Sequence, residues 1–499
     1  MAIPFITAEE AAEYIKNGDN VGFSGFTASG TPKVVPVAIA AKARAEHDAG
    51  RDFKINLFTG ASTNDWLDGE LSRAKAVNFR IPYQSCKDSR AALNAHEINY
   101  TDVHLSELGQ NLRYGFYGDI NVSILEVQDL DENGNVILGS GLGNAPTFAT
   151  MAEKVIIELN ETINPGIRGL HDIYIPLDPP YRKDIPIYKP SDRIGTEVLH
   201  IDPKKIVGIV KSDNPGHVAA FAQADDTTMK IGANVCEFLS GELKAGRLPK
   251  EFLPLQSGVG NVANAVLAGL EKDPTIPPFA MYTEVVQDSV LKLMESGKCY
   301  FASTCSLSIS DDAAKEFFDN IKFFRDKVLI RPGEVSNNPE VVRRLGIISM
   351  NTALEADIFG NVNSTHVLGT KMMNGIGGSG DFTRNAYVSI FSCPSVTKGG
   401  LISNIVPMVS HIDHSEHSVN VIITDQGIAD LRGKNPVQRA KTIIENCAHP
   451  AYRPLLMDYL KMGIANGGHT PHTLKAAFGF HTAFAETGNM ANVDWSKFE

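Results

Sequence analysis

The sequence predicts an α/β protein built from two similar halves, and three observations support this fold class. Short apolar strands alternate with helical segments along the 499 residues, which is typical of a largely parallel sheet. The chain is long enough for two or three domains with cores of their own. One series of motifs also recurs in the same order in the two halves, which favours an internal duplication.

The first half begins with a short helix and then alternates strands and helices. Thr7 and Glu10 form a capping-box pattern, and Gly18 is a helix stop signal, so a helix is expected between them. A strand that runs into a glycine loop follows at 20–27. The remaining apolar runs predict a helix at 35–45 and strands at 55–58, 122–127, 155–159 and 206–210.

The second half repeats this organisation. A strand at 254–256 leads into a loop at Gly258 and a helix that continues to about residue 270. Asn338-Pro339 begins another helix and Gly346 ends it, since proline is favoured at the first helical position. The apolar runs predict further strands at 328–330, 347–350 and 419–423.

The recurring motifs suggest two related domains. In each half a Leu-Glu pair precedes a hairpin turn, a Gly-Ser-Gly loop and a phenylalanine; chance recurrence of short glycine motifs is the alternative interpretation. These motifs begin at Leu125 and end at Phe148 in the first half, and begin at Leu354 and end at Phe382 in the second. A polar stretch at 212–228 contains the expected boundary. We therefore predict domains at 1–219 and 220–499.

Composition limits the classes of partner. The formal net charge of -12 argues against a nucleic-acid or membrane surface as the main partner, although it leaves room for a local anion site. The N-terminal residues lack the pattern of a secretory signal, and no apolar stretch is long enough to span a bilayer. The six cysteines show no C-x-x-C spacing, which favours reduced thiols and a cytoplasmic enzyme.

The most informative segment combines a glycine loop with a nearby glutamate. Gly258-Val259-Gly260-Asn261-Val262 opens a helix, and the free N–H groups of a helix N-terminus stabilise negative charge. Glu284 follows among apolar residues, where a carboxylate is rarely an ordinary surface charge. Together they suggest a glutamate nucleophile and a loop that holds an oxyanion. A plain strand-to-helix turn and an edge-strand or ion-paired glutamate are the alternatives.

Two other motifs bear on whether the protein holds a cofactor. The segment 375–380 fits the G-x-G-x-x-G pattern, but no strong strand precedes it and no acidic residue follows at the required distance, so a nicotinamide site is not expected. The histidines between His411 and His417 lack a convincing ligand spacing, so no metal is expected. No G-x-S-x-G or Walker motif is present.

Taken together, these motifs resemble the acetyl-CoA hydrolase/transferase family of class I CoA-transferases, and most closely its succinyl-CoA:acetate CoA-transferases. The resemblance covers nearly the whole chain. It is carried by Ser24-Gly25-Phe26-Thr27, Thr59-Gly60-Ala61-Ser62, residues 256–266, Glu284-Val285-Val286-Gln287-Asp288, Val335-Ser336-Asn337, residues 355–363, residues 371–382 and residues 425–433.

The resemblance implies two similar α/β domains of the CoA-transferase type (NagB/RpiA/CoA-transferase-like) with the active site between them. It implies that Glu284 attacks an acyl-CoA thioester, forms a mixed anhydride and then carries CoA as a glutamyl thioester. The substrate pair that the resemblance favours most is succinyl-CoA and acetate. It requires no permanent cofactor or metal, because coenzyme A is the substrate. A homodimer is also implied.

The resemblance also assigns roles to other residues. The backbone N–H groups of Val259 and Gly378 are expected to hold the oxyanion, and Asn337 to orient the Glu284 carboxylate, although helix capping near Pro339 is an alternative role for Asn337. Ser62 is a candidate contact for the acid substrate. The expected contacts to CoA are Gly258, Val259, Gly260, Asn261, Val262, Leu354, Asn374, Gly378 and Lys398.

Three alternatives remain open. The first is an acetyl-CoA hydrolase on the same scaffold. The second is a CoA-transferase for propionate, butyrate or 4-hydroxybutyrate, and the third is a protein that binds CoA or small anions without catalysis.

Overall fold

The computed structural model describes residues 3–218 and 224–498. The predicted boundary between residues 219 and 220 lies outside the described residues. The first half contains strands β1 (Asn20–Phe23), β2 (Ile55–Phe58), β3 (Val77–Ile81), β4 (Asn99–Tyr100), β5 (Val122–Leu130), β6 (Asn135–Leu138), β7 (Lys154–Asn160), β8 (Leu199–His200) and β9 (Ile206–Ser212). Its helices are α1 (Ala8–Glu13), α2 (Val35–Asp48), α3 (Glu70–Arg73), α4 (Lys87–Asn94), α5 (Leu105–Arg113) and α6 (Ala145–Met151).

The second half has more strands, because several short strands form small sheets of their own beside the main sheet. The strands are β10 (Leu255–Ser257), β11 (Phe279–Tyr282), β12 (Val285–Val286), β13 (Cys299–Thr304), β14 (Ser306–Leu307), β15 (Val328–Ile330), β16 (Ile348–Thr352), β17 (Glu355–Asp357), β18 (Val362–Asn363), β19 (His366–Val367), β20 (Lys371–Met372), β21 (Val388–Ser392), β22 (Val396–Thr397), β23 (Ile402–Ser403), β24 (Ile405–Val406), β25 (Val421–Thr424) and β26 (Gly427–Asp430). The helices are α7 (Asp226–Lys244), α8 (Asn261–Lys272), α9 (Asp288–Glu295), α10 (Asp311–Asp319), α11 (Ile321–Phe324), α12 (Gly333–Ser336), α13 (Pro339–Leu345), α14 (Ser379–Thr383), α15 (Pro436–Cys447), α16 (Arg453–Asn466) and α17 (Gly479–Thr487).

The two main sheets share one topology. In the first, seven parallel strands run in the order β4-β3-β2-β1-β5-β7-β9. In the second, seven parallel strands run in the order β15-β13-β11-β10-β16-β21-β25, and β26 adds an antiparallel edge. The predicted α/β fold class with two similar halves is therefore confirmed. Each half also has the hairpin expected from the recurring motifs, β5–β6 and β17–β18.

Local signals explain where several elements begin and end. The capping box of Thr7 and Glu10 opens α1, but the helix ends at Glu13, and Gly18 (φ +88°) instead makes the turn into β1. Asn338 caps α13 through its side chain, and Gly346 ends that helix in the left-handed conformation. These ends follow the general preferences of helix caps for asparagine and glycine.

The two halves share their largest apolar core. Buried side chains of the first sheet, such as Leu125 and Ile157, belong to the same cluster as Leu255 and Ile348 of the second. Backbone hydrogen bonds also cross between the halves, from Leu142 N–H to a carbonyl in the turn between β13 and β14, and from the β14 strand back to Ser140. Within the described residues, no helix is both long and apolar enough to cross a membrane.

Candidate active site

A cavity of about 760 Å³ lies where the carboxyl ends of the two sheets meet. Loops that follow β1, β2 and β3 form one wall, and loops that follow β10, β11 and β16 form the other. Ligands of parallel α/β sheets bind at this edge. The lining includes Phe26, Thr27, Ala61, Trp66, Tyr83, Leu105, Gly258, Val259, Gly260, Glu284, Leu354, Asn374, Gly378 and Ser379.

Glu284 lies at the carboxyl end of β11, and its side chain is partly buried in the cavity wall. Three donors fix its backbone carbonyl: the N–H groups of Cys305 and Ser306 and the hydroxyl of Thr304. Its Oε1 accepts a hydrogen bond from Asn337 Nδ2. Burial raises the pKa of the Glu284 carboxyl to about 7, although the hydrogen bond from Asn337 acts in the opposite direction. No ion pair to Glu284 occurs within residues 3–218 and 224–498, so the structure does not favour the ion-paired alternative.

The glycine loop lies directly against the segment that carries Glu284. Thr283 donates to the Ser257 carbonyl over 3.2 Å, and Gln287 both accepts from Gly260 N–H (3.3 Å) and donates to the Gly258 carbonyl (3.2 Å). In the described structure, no hydrogen bond uses the N–H of Val259. Val259 itself lines the cavity, and its predicted role as an oxyanion donor stays a prediction.

Gly378 lies directly against the Glu284 carboxylate. A Cβ atom at this position would lie 1.8 Å from Glu284 Oε1 and 2.1 Å from Asn337 Nδ2, so no other residue fits without displacing them. The Gly378 N–H takes part in no hydrogen bond among the described residues. Its predicted role as an oxyanion donor stays a prediction.

The Asn337 side chain does not cap the N-terminus of α13, which was the alternative role for this residue; its backbone N–H instead closes the C-terminus of α12. The cap of α13 is supplied by Asn338. The Asn337 side chain is fully buried and turned inward, where its Oδ1 accepts a hydrogen bond from Ser336 Oγ (2.8 Å) and its Nδ2 faces Glu284.

Some predicted contacts do not reach the cavity. Asn261 and Val262 form the first turn of α8 behind the loop, and Lys398 is exposed, with its Nζ 5.2 Å from the ring centroid of Phe484. Their contact with CoA stays a prediction. Ser62 is not among the residues that line the cavity, and its hydroxyl donates a hydrogen bond to Asp68.

Two buried residues in this region were missed by sequence reasoning. Asp381, on α14, accepts hydrogen bonds from Asn337 and from Ser106 of the first half. The only local signal was its position three residues after Gly378. Gln287 belongs to a motif that carried the resemblance, yet its contact with the glycine loop was not predicted.

The histidine-rich segment takes part in ordinary polar contacts. His414 Nε2 lies 3.0 Å from Ser379 Oγ, and His411 pairs with Asp413. The described residues contain no group of three or more His, Cys, Asp or Glu side chains arranged to hold a metal ion.

Sequence comparisons identify the family. A family model for the N-terminal domain of acetyl-CoA hydrolases/transferases matches residues 4–211, and the model for the C-terminal domain matches residues 314–460. The chain belongs to the acetyl-CoA hydrolase/transferase family. The predicted family and enzyme class, a CoA-transferase of this family, are thereby confirmed.

Individual members of the family differ in the reactions that name them. The chain is 51% identical to the propanoyl-CoA:succinate CoA transferase of Escherichia coli, over 97% of this chain and 98% of the relative. It is 48% identical to the succinyl-CoA:acetate CoA-transferase of Clostridium kluyveri, over 97% of this chain and 90% of the relative. It is 42% identical to the acetyl-CoA hydrolase of Candida glabrata, over 99% and 96%.

Solved structures confirm the fold. RipA from Yersinia pestis superposes with a TM-score of 0.71 at 21% identity, over 91% of this chain and 96% of that chain. The 4-hydroxybutyrate CoA-transferase from Porphyromonas gingivalis gives a TM-score of 0.62 at 21% identity, over 92% and 97%. At this identity the likeness concerns architecture alone.

Proposed function

We propose that this protein transfers CoA between a short-chain acyl-CoA and a free carboxylate through a thioester on Glu284. The observation that supports this most directly is the position of Glu284. It lines the cavity between the two halves and accepts a hydrogen bond from the Asn337 amide, and Val259 and Gly378, whose N–H groups bond to no described residue, line the same cavity. This is the arrangement that a carboxylate nucleophile and its oxyanion require.

In the proposed reaction, the Glu284 carboxylate attacks the thioester carbonyl and the CoA thiolate leaves, which forms a mixed anhydride. The thiolate then attacks Cδ of Glu284, and the original acyl group leaves as a carboxylate. A second carboxylate attacks the glutamyl thioester and reverses these steps, so that CoA leaves on the new acyl group. Each step passes through an oxyanion, and we propose that the N–H groups of Val259 and Gly378 and the Asn337 amide stabilise it.

We propose succinyl-CoA as one donor and acetate as the matching acid, with propanoate as the main alternative acid. The names of both transferases compared above include succinate or succinyl-CoA as a substrate. The cavity contributes a constraint: among its described lining residues, His217 is the only side chain that could carry a positive charge. The second carboxylate of succinate must therefore bind mainly to neutral hydrogen-bond donors. Acetate and propanoate have only one carboxylate and need no such additional site.

The experiment is a panel of acids with succinyl-CoA and acetyl-CoA as donors, in which both new acyl-CoA and free CoA are measured. The wild type is expected to form new acyl-CoA only when an acid is present, and Glu284→Ala to form none while remaining folded. Glu316→Ala, which removes an exposed glutamate of α10, is the control and should behave as the wild type. Near-normal exchange by Glu284→Ala would exclude Glu284 as the nucleophile.

A second candidate function is thioester hydrolysis, because the similarity to the Candida glabrata acetyl-CoA hydrolase extends over nearly the whole chain. Water would then attack the acyl or glutamyl intermediate in place of an acid. Loss of acyl-CoA at the same rate with and without acid would support hydrolysis. Binding of CoA without any turnover would support the non-catalytic alternative.

We also propose a homodimer in the cytoplasm. All six cysteines are free in the structure, which is compatible with a reducing compartment. Closed twofold dimers are the commonest assemblies of soluble proteins. Sedimentation of the purified protein tests the dimer, and cell fractionation tests the location.

A further inference from the structure

We propose that Asp381 is a positioning residue that works as an uncharged carboxylic acid and holds the Asn337 amide with its N–H towards Glu284. The inference rests on the proposed function, since it concerns the reaction at Glu284. Asp381 does not line the cavity and acts only through Asn337.

Both carboxyl oxygens of Asp381 have hydrogen-bond partners. Its Oδ2 accepts from Ser106 N–H (3.1 Å) and from Asn337 Nδ2 (3.4 Å), and its Oδ1 lies 2.5 Å from Ser106 Oγ. Only 3% of the residue is exposed. Ser106 is on α5 of the first half and Asp381 is on α14 of the second, so the contact joins the two halves behind the active site.

These contacts determine which way the Asn337 amide faces. Its Oδ1 accepts from the Ser336 hydroxyl, and its two N–H groups face Glu284 and Asp381. A flipped amide would place an oxygen against two carboxyl groups and lose both hydrogen bonds. Asp381 therefore supplies one of the two acceptors that keep the N–H at Glu284.

The geometry also allows Asp381 to be neutral without losing a contact. Its Oδ2 faces two N–H groups, which can only donate, whereas its Oδ1 faces a hydroxyl that can donate or accept. A proton on Oδ1 can therefore be donated to Ser106 Oγ while Oδ2 keeps both of its hydrogen bonds. Two charged carboxylates around one amide would repel each other.

The expected protonation agrees with this geometry. Burial raises the pKa of Asp381 to about 8, and it raises the pKa of Glu284 to about 7. The charge of an ionised Glu284 also raises the pKa of Asp381, so ionisation of the nucleophile favours the neutral form of Asp381. When Asp381 ionises at higher pH, it adds a negative charge next to the oxyanion that forms on the Glu284 carbonyl, which opposes the reaction.

Among residues 3–218 and 224–498, three other titratable groups lie close to this pair. Tyr83 and Cys305 face Glu284, and His104 packs against Gly380 on the Asp381 helix. Burial raises the pKa of the Tyr83 hydroxyl and raises that of the Cys305 thiol to about 12. A loss of activity caused by any of these groups would persist when Asp381 is replaced.

The test compares Asp381→Asn, Asp381→Ala and the wild type across the pH range. Asparagine reproduces the neutral acid, because its Oδ1 can accept the two N–H groups and its Nδ2 can donate to Ser106 Oγ. We expect wild-type kcat/KM to fall above about pH 8 as Asp381 ionises. Asp381→Asn should keep kcat within about threefold of the wild type at neutral pH and should lack this fall. Asp381→Ala should lower kcat about 10- to 100-fold with little change in KM for acyl-CoA.

Asp357→Asn is the matched control, because Asp357 is another fully buried aspartate, in the β17–β18 hairpin and outside the site. It is expected to keep the pH profile of the wild type even if its Tm falls. The inference is overturned if Asp381→Asn retains the alkaline fall, or if it is as inactive as Asp381→Ala at neutral pH while folded. Failure of the proposed function would look different, because the wild type itself would then show no acid-dependent CoA exchange.

Discussion

Replacement of Gly378 by alanine should inactivate the enzyme for a purely steric reason. The φ angle of Gly378 is −93°, which any residue adopts, so the substitution adds no backbone strain. The new methyl group would instead lie 1.8 Å from Glu284 Oε1 and 2.1 Å from Asn337 Nδ2. The carboxylate would have to retreat by more than about 1 Å to reach normal contact.

This displacement sets the expected magnitude. A nucleophile misplaced by about 1 Å typically loses about 100-fold in rate. Overpacking at a closely packed site costs about 1–3 kcal/mol of stability, which a protein of this size should tolerate. We therefore expect Gly378→Ala to fold with a modestly lower Tm and to lose at least about 100-fold in kcat for CoA exchange.

Gly380→Ala is the matched control on the same helix. Its Cβ would lie 2.3 Å from the His104 ring, so it carries a similar steric cost away from Glu284. The assays are steady-state CoA exchange and thermal unfolding of both variants. Wild-type kcat in Gly378→Ala, or equal losses of activity in the two variants, would refute the assignment of the Glu284 carboxylate to this position.

Three further predictions concern charge. The stability of Glu284→Gln relative to the wild type should rise between about pH 5 and about pH 8. Burial raises the pKa of Glu284 to about 7, so the unfolded wild-type chain ionises at lower pH than the folded one and the wild type loses stability as the pH rises. A constant difference in unfolding free energy in denaturant titrations across this range would contradict this. Arg331→Met should cost about 3–5 kcal/mol in urea unfolding, because it leaves its buried partner Asp172 unpaired; a loss below about 1 kcal/mol would contradict it. Lys398→Ala should raise KM for acyl-CoA less than about tenfold and leave kcat unchanged, because an exposed charge contributes at most about 1 kcal/mol; a lower kcat would place Lys398 in the chemistry.

Much of the fold follows from local patterns. The strands expected at 55–58 and 328–330 match β2 and β15, because each is a short apolar run buried in a parallel sheet. The ends of α13 were also predictable, since Asn338, Pro339 and Gly346 act through their own backbone neighbours. The short strands added to the second half were not predicted, because two-residue strands carry no periodic signal.

The site was predictable only where a motif is local. Glu284 and the Gly258 loop lie within one short stretch of chain, and their hydrogen bonds through Gln287 keep them together. Asp381 and Ser106 are separated by 275 residues, and only the packing of the two halves brings them into contact. A pairing of that kind leaves no signal in composition or spacing.

The central claim is that Glu284 carries CoA covalently, and mass spectrometry tests it most directly. The wild type is incubated with succinyl-CoA without an acceptor acid, digested, and searched for a peptide that has gained CoA. We predict one CoA per chain on the peptide that contains Glu284, removed again on addition of acetate and absent from Glu284→Gln. Rapid CoA exchange by a wild-type protein that forms no adduct, or an adduct that survives in Glu284→Gln, would contradict the claim.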